Sequence, residues 1–169
     1  MLLSLAPMAG FTDAPFRRIC HACGCAESTS EMISAAALHY KDKKTARLAQ
    51  ISENEGDVWL QIFGHDPAMM AQGAEILIET QRNTPPGARL CGIDINMGCP
   101  VHKIVGNGDG SALMLNPNLA EKVTRAVAQV CHKNGLPLSV KIRAGFDRTC
   151  MNAPDFACRM ADAGADRIA

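Results

Sequence analysis

Short apolar segments alternate with helix-start signals along this chain, and the alternation restricts the fold more than any other feature. Six segments of strand length recur: residues 2–6, 28–33, 58–63, 92–97, 138–143 and one that opens at Asp166. Predicted helices separate them, because Asp66-Pro67 and Asn116-Pro117 each join an N-cap residue to the proline favoured at the first helical position. Repeated strand–helix units predict a parallel sheet with helical crossovers, which is an α/β fold.

The polarity of the strand ends distinguishes two folds that share this alternation. Gln61, Asp94, Asn96, Lys141 and Arg143 place polar groups on one face, towards the carboxyl ends of three strands. Strands of an open doubly wound sheet are usually apolar on both faces, whereas a barrel binds its ligand at its C-terminal mouth. The predicted fold class is therefore a TIM (β/α)₈ barrel. Such a barrel takes about 250 residues, so we expect an incomplete N-terminal portion of about five βα units plus the start of a sixth strand.

The first and last helices have their own boundary signals. Thr12 or Asp13 is the expected N-cap of the first helix, which Gly24 ends, and residues 152–163 form the last, which Gly164 ends. Four residues of the first helix follow the spacing of a buried stripe: Phe16, Ile19, Cys20 and Cys23. A structural zinc site needs four ligands and no second Cys-x-x-Cys pair follows, so we expect no metal.

Composition excludes several classes of function. The chain has 17 basic and 17 acidic residues, so any nucleic-acid surface must be local. Aromatic residues make up 4%, too few for a base-stacking platform. No apolar run approaches the roughly 18 residues of a membrane helix. Eight cysteines without an export signal predict reduced thiols in the cytoplasm.

Four motifs resemble a known family in their order and spacing: APMAGFTDAPFR (6–17), QIFGHDP (61–67), DINMGCPVHKIVGNGDGSALM (94–114) and VKIRAGFD (140–147). Together they resemble the tRNA-dihydrouridine synthases, particularly the bacterial B-type group. The resemblance implies an FMN-bound TIM barrel that reduces uridine in tRNA to 5,6-dihydrouridine with NADPH. It also implies that residues 1–169 are the N-terminal portion of the catalytic domain, without its later strands or the C-terminal helical tRNA-binding domain.

The resemblance implies five FMN-binding residues: Pro7, Met8, Ala9, Gln61 and Lys141. Small residues after the first strand let the backbone approach a flat ring, although Pro-x-x-Gly is also an ordinary turn. Gln61 offers a donor and an acceptor to the flavin pyrimidine edge, or it is satisfied by neighbouring backbone. Lys141 would supply positive charge where a reduced flavin becomes negative, and an ion pair with Asp94 is the structural alternative.

The same resemblance implies the substrate side of the site. Cys99 matches the catalytic acid, because a thiol with a reference pKa near 8.5 is mostly protonated at neutral pH yet able to donate. The structural alternative is that Cys99 is only a small apolar residue in a turn. Asn96, Arg143 and Lys103 are the expected substrate-binding residues, with flavin phosphate and Asp147 as other partners for Arg143. The glycine-rich residues 106–111 do not match G-x-G-x-x-G, and the resemblance implies that they cover the site near the tRNA.

One basic run offers a local surface for RNA. Lys41, Lys43, Lys44 and Arg47 follow the second strand, on or near the ligand side of the barrel. Such a run is usually a solvated helix face, and it is also the candidate contact for tRNA phosphates.

Two other functions remain open from the sequence. One is an FMN barrel acting on free pyrimidines, of the dihydroorotate or dihydropyrimidine dehydrogenase kind. The other is a non-catalytic piece that retains the motifs but not the cofactor. The full-length protein is expected to be a monomer.

Overall fold

A computed structural model of the chain describes residues 3–169. The first predicted strand begins at Leu2, which lies outside the described residues. The described strands are β1 (Ser4–Leu5), β2 (Glu27–Thr29), β3 (Ile33–Ser34), β4 (Gly56–Phe63), β5 (Ala88–Asn96), β6 (Leu138–Lys141) and β7 (Arg167–Ile168). The described helices are α1 (Ala14–Ala22), α2 (Ala35–His39), α3 (Lys43–Leu48), α4 (Pro67–Thr80), α5 (His102–Val105), α6 (Pro117–Lys133) and α7 (Ala153–Asp162), with a 3₁₀ helix at Gly110–Leu115.

The strands form one parallel sheet whose spatial order follows the chain. The order is β1-β2-β4-β5-β6-β7, and β3 pairs with β4 beyond the end of β2. A doubly wound sheet would reverse its strand order at a switch point, and no reversal occurs among the described strands. The order is that of consecutive strands in a β/α barrel.

The sheet curls so that side chains of β2 and β7 meet across the concave face. Arg167 of β7 forms an ion pair with Glu27 of β2, and its guanidinium carbon lies 4.8 Å from the centroid of the Trp59 ring. In a flat sheet β2 and β7 would be about 19 Å apart, which is more than an arginine and a glutamate side chain span together. The parallel curled sheet confirms the predicted α/β class and the partial barrel.

The convex face of the sheet carries the core. Outward-pointing residues of the three central strands are inaccessible to solvent: Val58, Leu60, Ile62, Ile93, Ile95, Leu138 and Val140. They pack against α4 and α6, whose buried residues include Met70, Leu77, Val123 and Val127. Burying a side chain of this size contributes about 1.5–3 kcal/mol, so the apolar set fixes which face each strand turns outward.

Three predicted helix starts are confirmed by their caps. Asp13, Asp66 and Asn116 accept a hydrogen bond from the backbone N–H three residues on, at 3.0, 2.8 and 3.2 Å. Thr12, the alternative cap of α1, instead donates its hydroxyl to the Met8 carbonyl at 3.2 Å. That bond tightens the turn that follows β1.

The predicted buried stripe of α1 is wrong. Phe16 and Ile19 are 37% and 61% exposed, and Cys23 is also exposed, because no element of residues 3–169 covers that side of the helix. Arg17 is buried instead, at 2% exposure, and its Nε lies 2.7 Å from Glu55 Oε2. Its guanidinium also donates to the Thr12 carbonyl at 2.7 Å.

The predicted strand 28–33 is two strands. The chain leaves the sheet after Thr29, where the Ser30 hydroxyl accepts from the Gln61 backbone N–H at 3.0 Å, and it pairs with β4 again at Ile33. The 3₁₀ helix Gly110–Leu115 begins inside the glycine-rich residues 106–111, and α5 ends just before them. None of the described helices is both long and apolar enough to cross a lipid bilayer.

Candidate active site

A cavity of about 310 Å³ opens on the concave face at the carboxyl ends of the strands. It is lined by Pro7, Ala9, Met32, Gln61, Asn96, Gly98, Cys99, Val101, Lys141, Ile142 and Arg143. Its size falls within the roughly 300–1,000 Å³ of small-molecule sites. The structure therefore brings together seven of the residues that the sequence predicted for one site.

A buried chain of hydrogen bonds organises the polar floor of this cavity. Gln61 Nε2 donates to Asp94 Oδ2 at 2.6 Å, and Asn96 Nδ2 donates to Gln61 Oε1 at 2.9 Å. Gln61 and Asp94 are 1% and 4% exposed. The polar residues within β4 and β5 are thus partners for one another, and the Gln61 amide is held by side chains rather than by neighbouring backbone.

Asn96 also holds the turn that carries the thiol. Its Oδ1 accepts from the backbone N–H groups of Gly98 and Cys99, at 3.1 and 2.9 Å. An asparagine that caps a turn in this way fixes the backbone of the following residues. The Asn96 side chain therefore links the floor of the cavity to the position of Cys99.

Asp94 is the carboxyl group that its surroundings perturb most clearly. Burial raises the pKa of Asp94 to about 6, and the hydrogen bond from Gln61 opposes that shift. Among residues 3–169, no carboxylate lies within ion-pair distance of the Lys141 ammonium, so the alternative pair with Asp94 does not form. Lys141 lies beside Asn96 in the register of β5 and β6 and presents an unpaired cation to the cavity.

The loop after β1 forms the wall of the cavity opposite Lys141. Pro7 and Ala9 line it, whereas the side chain of Met8 is 41% exposed and lies outside the lining. Gly10 adopts φ +81° and its N–H donates to Glu31, so the loop turns back at that position. A side chain is strained at such a φ, which explains glycine there.

Lys103, the other predicted residue outside this lining, borders a second cavity. This cavity, of about 530 Å³, lies between α2, α4 and α5, with Phe63, His65 and Asp109 in its wall. Lys103 is therefore separated from the floor that Gln61 and Asn96 form. The sequence reasoning also missed His65 and Asp109, whose side chains meet at 2.8 Å, although both lie in motifs that it had singled out.

The basic run lies on the helical layer, away from the concave face. Lys43, Lys44 and Arg47 are exposed on α3, and Lys41 precedes it in a left-handed conformation at φ 57°. Ala49, just after α3, accepts from Gln81 at the C-terminal end of α4 at 3.0 Å. The run is thus a solvated helix face, and contact with tRNA phosphates stays a prediction.

The cysteines do not assemble a metal site in the described part of the chain. All eight are free thiols, and no group of three or more His, Cys, Asp or Glu side chains there has metal-binding geometry. Burial raises the pKa of Cys91 and of Cys131 to about 12. Those two thiols are poor nucleophiles, in contrast to the partly exposed Cys99 of the cavity.

The sequence matches the family model described as "Dihydrouridine synthase (Dus)" over residues 4–169. The chain belongs to the dihydrouridine synthase family. That match covers every residue of the cavity, from Pro7 to Arg143. The curled parallel sheet is therefore part of a dihydrouridine synthase barrel.

Similar proteins carry the same name. The chain is 38% identical over 168 residues to tRNA-dihydrouridine synthase B of Pseudomonas aeruginosa, a match that covers 99% of this chain and 47% of that protein. It is 35% identical to a probable tRNA-dihydrouridine synthase of Treponema pallidum, covering 97% and 47%, and 38% identical to tRNA-dihydrouridine synthase B of Serratia marcescens, covering 98% and 46%. The dihydrouridine synthase chain thus spans about half the length of these relatives.

Proposed function

We propose that residues 1–169 form the N-terminal portion of a flavin-binding barrel that reduces the C5–C6 double bond of uridines in tRNA. The reductant is NADPH, and the cofactor is FMN. The observation that carries the proposal is the cavity itself, in which Gln61, Lys141 and Cys99 meet around one space at the ligand-binding end of the barrel. The names of the relatives support tRNA as the substrate.

The residues of the cavity fit an FMN ring. Pro7 and Ala9 give one wall without bulky side chains, and Gln61 and the unpaired Lys141 supply an amide and a cation. Bound FMN would supply the hydride that the uracil receives at C6, after accepting it from NADPH. Lys141 would balance the negative charge of the reduced cofactor, and the buried Gln61–Asp94 contact would hold the amide in place.

Cys99 is the proton donor in this proposal. Hydride addition at C6 of the uracil leaves an enolate that takes a proton at C5, and the thiol is the acid that faces the cavity. Asn96 sets the position of that thiol through its two bonds to the turn. Its amide nitrogen also donates to the Met32 sulfur at 3.9 Å, a weak contact that a uracil oxygen would replace.

A chimera tests the proposal in a complete barrel: this chain replaces the matching 168 residues of the Pseudomonas aeruginosa relative. Cys99→Ala should still be reduced by NADPH, because the thiol is not needed to hold the flavin. It should form dihydrouridine about 10²–10⁴ times more slowly, which is the usual contribution of a positioned general acid.

The measurement is single-turnover oxidation of the pre-reduced chimera by unmodified tRNA, with dihydrouridine counted by mass spectrometry. Cys158→Ala, at an exposed position of α7, is the matched control. Equal rates for Cys99→Ala and the control would exclude the thiol as the acid. Turnover of free uracil in place of tRNA would instead favour an enzyme of free pyrimidines.

A further inference from the structure

The segment from Cys99 to Ser111 closes on itself like an Ω-loop. The Ser111 N–H donates to the Cys99 carbonyl at 3.0 Å, and Asp109 N–H donates to the Ile104 carbonyl at 3.2 Å. A Cβ at Gly110, where φ is +59°, would lie 2.7 Å from the Cys99 oxygen. The end of the loop therefore packs directly on the backbone of Cys99.

One hydrogen bond joins this loop to a different part of the barrel. His65 Nδ1, in the β4–α4 connection, lies 2.8 Å from Asp109 Oδ1. Among residues 3–169, every other hydrogen bond of residues 100–110 stays within residues 99–115. The His65 ring also packs near Gly108, where a Cβ would lie 3.8 Å from it.

We propose that His65 and Asp109 are positioning residues that hold Cys99 in the cavity by fastening its loop to the β4–α4 connection. The proposal rests on the proposed function for the role of the thiol. The Asp109 side chain is 10% exposed and the His65 side chain 50% exposed, so the pair is sheltered on the carboxylate side only. Asp109 is two residues from the Ser111 N–H that binds the Cys99 carbonyl, so loss of the pair loosens Cys99 directly.

The rate at which iodoacetamide alkylates the Cys99 thiol measures how firmly its loop is held. The measurement needs neither flavin nor tRNA. The thiolate displaces iodide, and peptide mass spectrometry follows each cysteine separately in the full chain and in the chimera. His65→Ala and Asp109→Ala should each alkylate faster at Cys99 by about two- to tenfold, the factor that one hydrogen bond of this kind contributes to a local equilibrium. The double variant should react no faster than either single variant, because both remove the same interaction.

Conservative variants separate fastening from bulk packing. Asp109→Asn keeps an acceptor for His65 and should restore the parent rate. His65→Phe keeps a ring beside Gly108 but has no donor, so it should react as fast as His65→Ala. Parent rates in both His65→Phe and Asp109→Ala would overturn the proposal.

A matched pair elsewhere provides the control. His132 Nε2 lies 2.9 Å from Asp166 Oδ2 at the opposite end of the barrel; the exposure of His132 matches that of His65, whereas Asp166 is 46% exposed. His132→Ala should leave the alkylation rate of Cys99 unchanged. If it accelerates that rate as much as His65→Ala does, the proposal is overturned. Buried Cys131 reports folding, because it becomes reactive only in an unfolded chain.

The dihydrouridine assay separates this proposal from the proposed function. In the chimera, His65→Ala and Asp109→Ala should slow dihydrouridine formation in a single turnover and leave flavin reduction by NADPH unchanged. If Cys99→Ala has no effect on dihydrouridine, the assignment of the acid fails. The alkylation rates still decide whether the two residues hold the loop.

Discussion

Asp94 is a buried carboxyl group that no cation neutralises at close range. Its one strong partner is the Gln61 amide, and burial raises its pKa to about 6. A protonated Asp94 could donate to a neighbouring oxygen, whereas an ionised one only accepts. The protonation state of this one residue therefore sets the polarity of the floor beneath the cavity.

Stability should depend on pH through Asp94. Since its folded pKa lies above the reference value of 3.8, the folded state binds the extra proton between about pH 4 and 6. This contribution to the free energy of unfolding is fully present below pH 4 and is lost as pH rises through 6. In the parent protein the free energy of unfolding should fall by up to about 1.4 kcal/mol per pH unit across that window, and Asp94→Asn should remove this fall.

Urea unfolding of the chimera at pH 4.5, 5.5 and 7 measures that slope. Asp162→Asn, at an exposed position of α7, is the control and should keep the parent slope. If Asp94→Asn and the control vary with pH in the same way, the Asp94 carboxyl does not titrate in this range.

The Lys141 ammonium has no partner within ion-pair distance among residues 3–169, so its effect can also be tested by changing a single residue. Lys141→Ala in the chimera should weaken FMN binding or slow flavin reduction, since the reduced cofactor loses a balancing cation. Fluorescence titration of FMN into the apoprotein measures the first effect, and stopped-flow reduction by NADPH the second. Lys122→Ala on the outer helix α6 is the control. Unchanged values in both measurements would contradict the flavin assignment.

At the scale of elements, α1 is attached to the barrel by charge rather than by an apolar stripe. The Arg17 guanidinium meets Glu55 and the Thr12 carbonyl inside the protein. Removal of one partner of such a buried pair strongly destabilises the fold, because the remaining charge is then buried without compensation.

Arg17→Ala should lower the free energy of unfolding of the chimera by about 3–5 kcal/mol. The measurement is the urea midpoint together with its slope. Arg82→Ala removes an exposed pair with Glu79, at 3.4 Å, and should cost at most about 1 kcal/mol. Equal losses for the two variants would show that the Arg17 pair is no stronger than a surface contact.

The helices and strands that sequence reasoning predicted well are those with local signals. The caps Asp66 and Asn116 lie beside prolines, β4 is a short, mostly apolar run, and residues 93–96 of β5 alternate apolar and polar side chains, so the local sequence defines them. The Arg17–Glu55 pair was missed because its partners are 38 positions apart and neither segment reveals the other. The His65–Asp109 contact was missed for the same reason, because it joins residues 44 apart. The roles of all the predicted site residues remain predictions.

At the scale of the molecule, the described sheet has two outer edges, one at β1 and one at β7. β1 pairs only with β2, and β7 only with β6, within the described range. Parallel strands with free N–H and C=O groups at such edges are templates for pairing between chains. The curl of the sheet brings Arg167 to Glu27 across the concave face but leaves both edges unpaired.

The 169-residue chain on its own is therefore expected to self-associate. Sedimentation velocity at several concentrations should show oligomers that increase with concentration, whereas the chimera, in which further strands are available, should remain a single species. A monomeric chain with a sharp, cooperative thermal transition would contradict this expectation.

The consecutive order of the strands has a consequence for synthesis on the ribosome. Apart from the two-residue β3, which pairs with the later β4, each strand after β1 pairs with a strand that was made before it, so the sheet can grow from its N-terminal edge as the chain emerges. No strand must wait for a distant partner, and the entropy lost in closing each loop stays small. The contact between Arg167 and Glu27 is different, because it joins residues 140 positions apart. It forms only after the sheet has curled, and it completes the assembly rather than starting it.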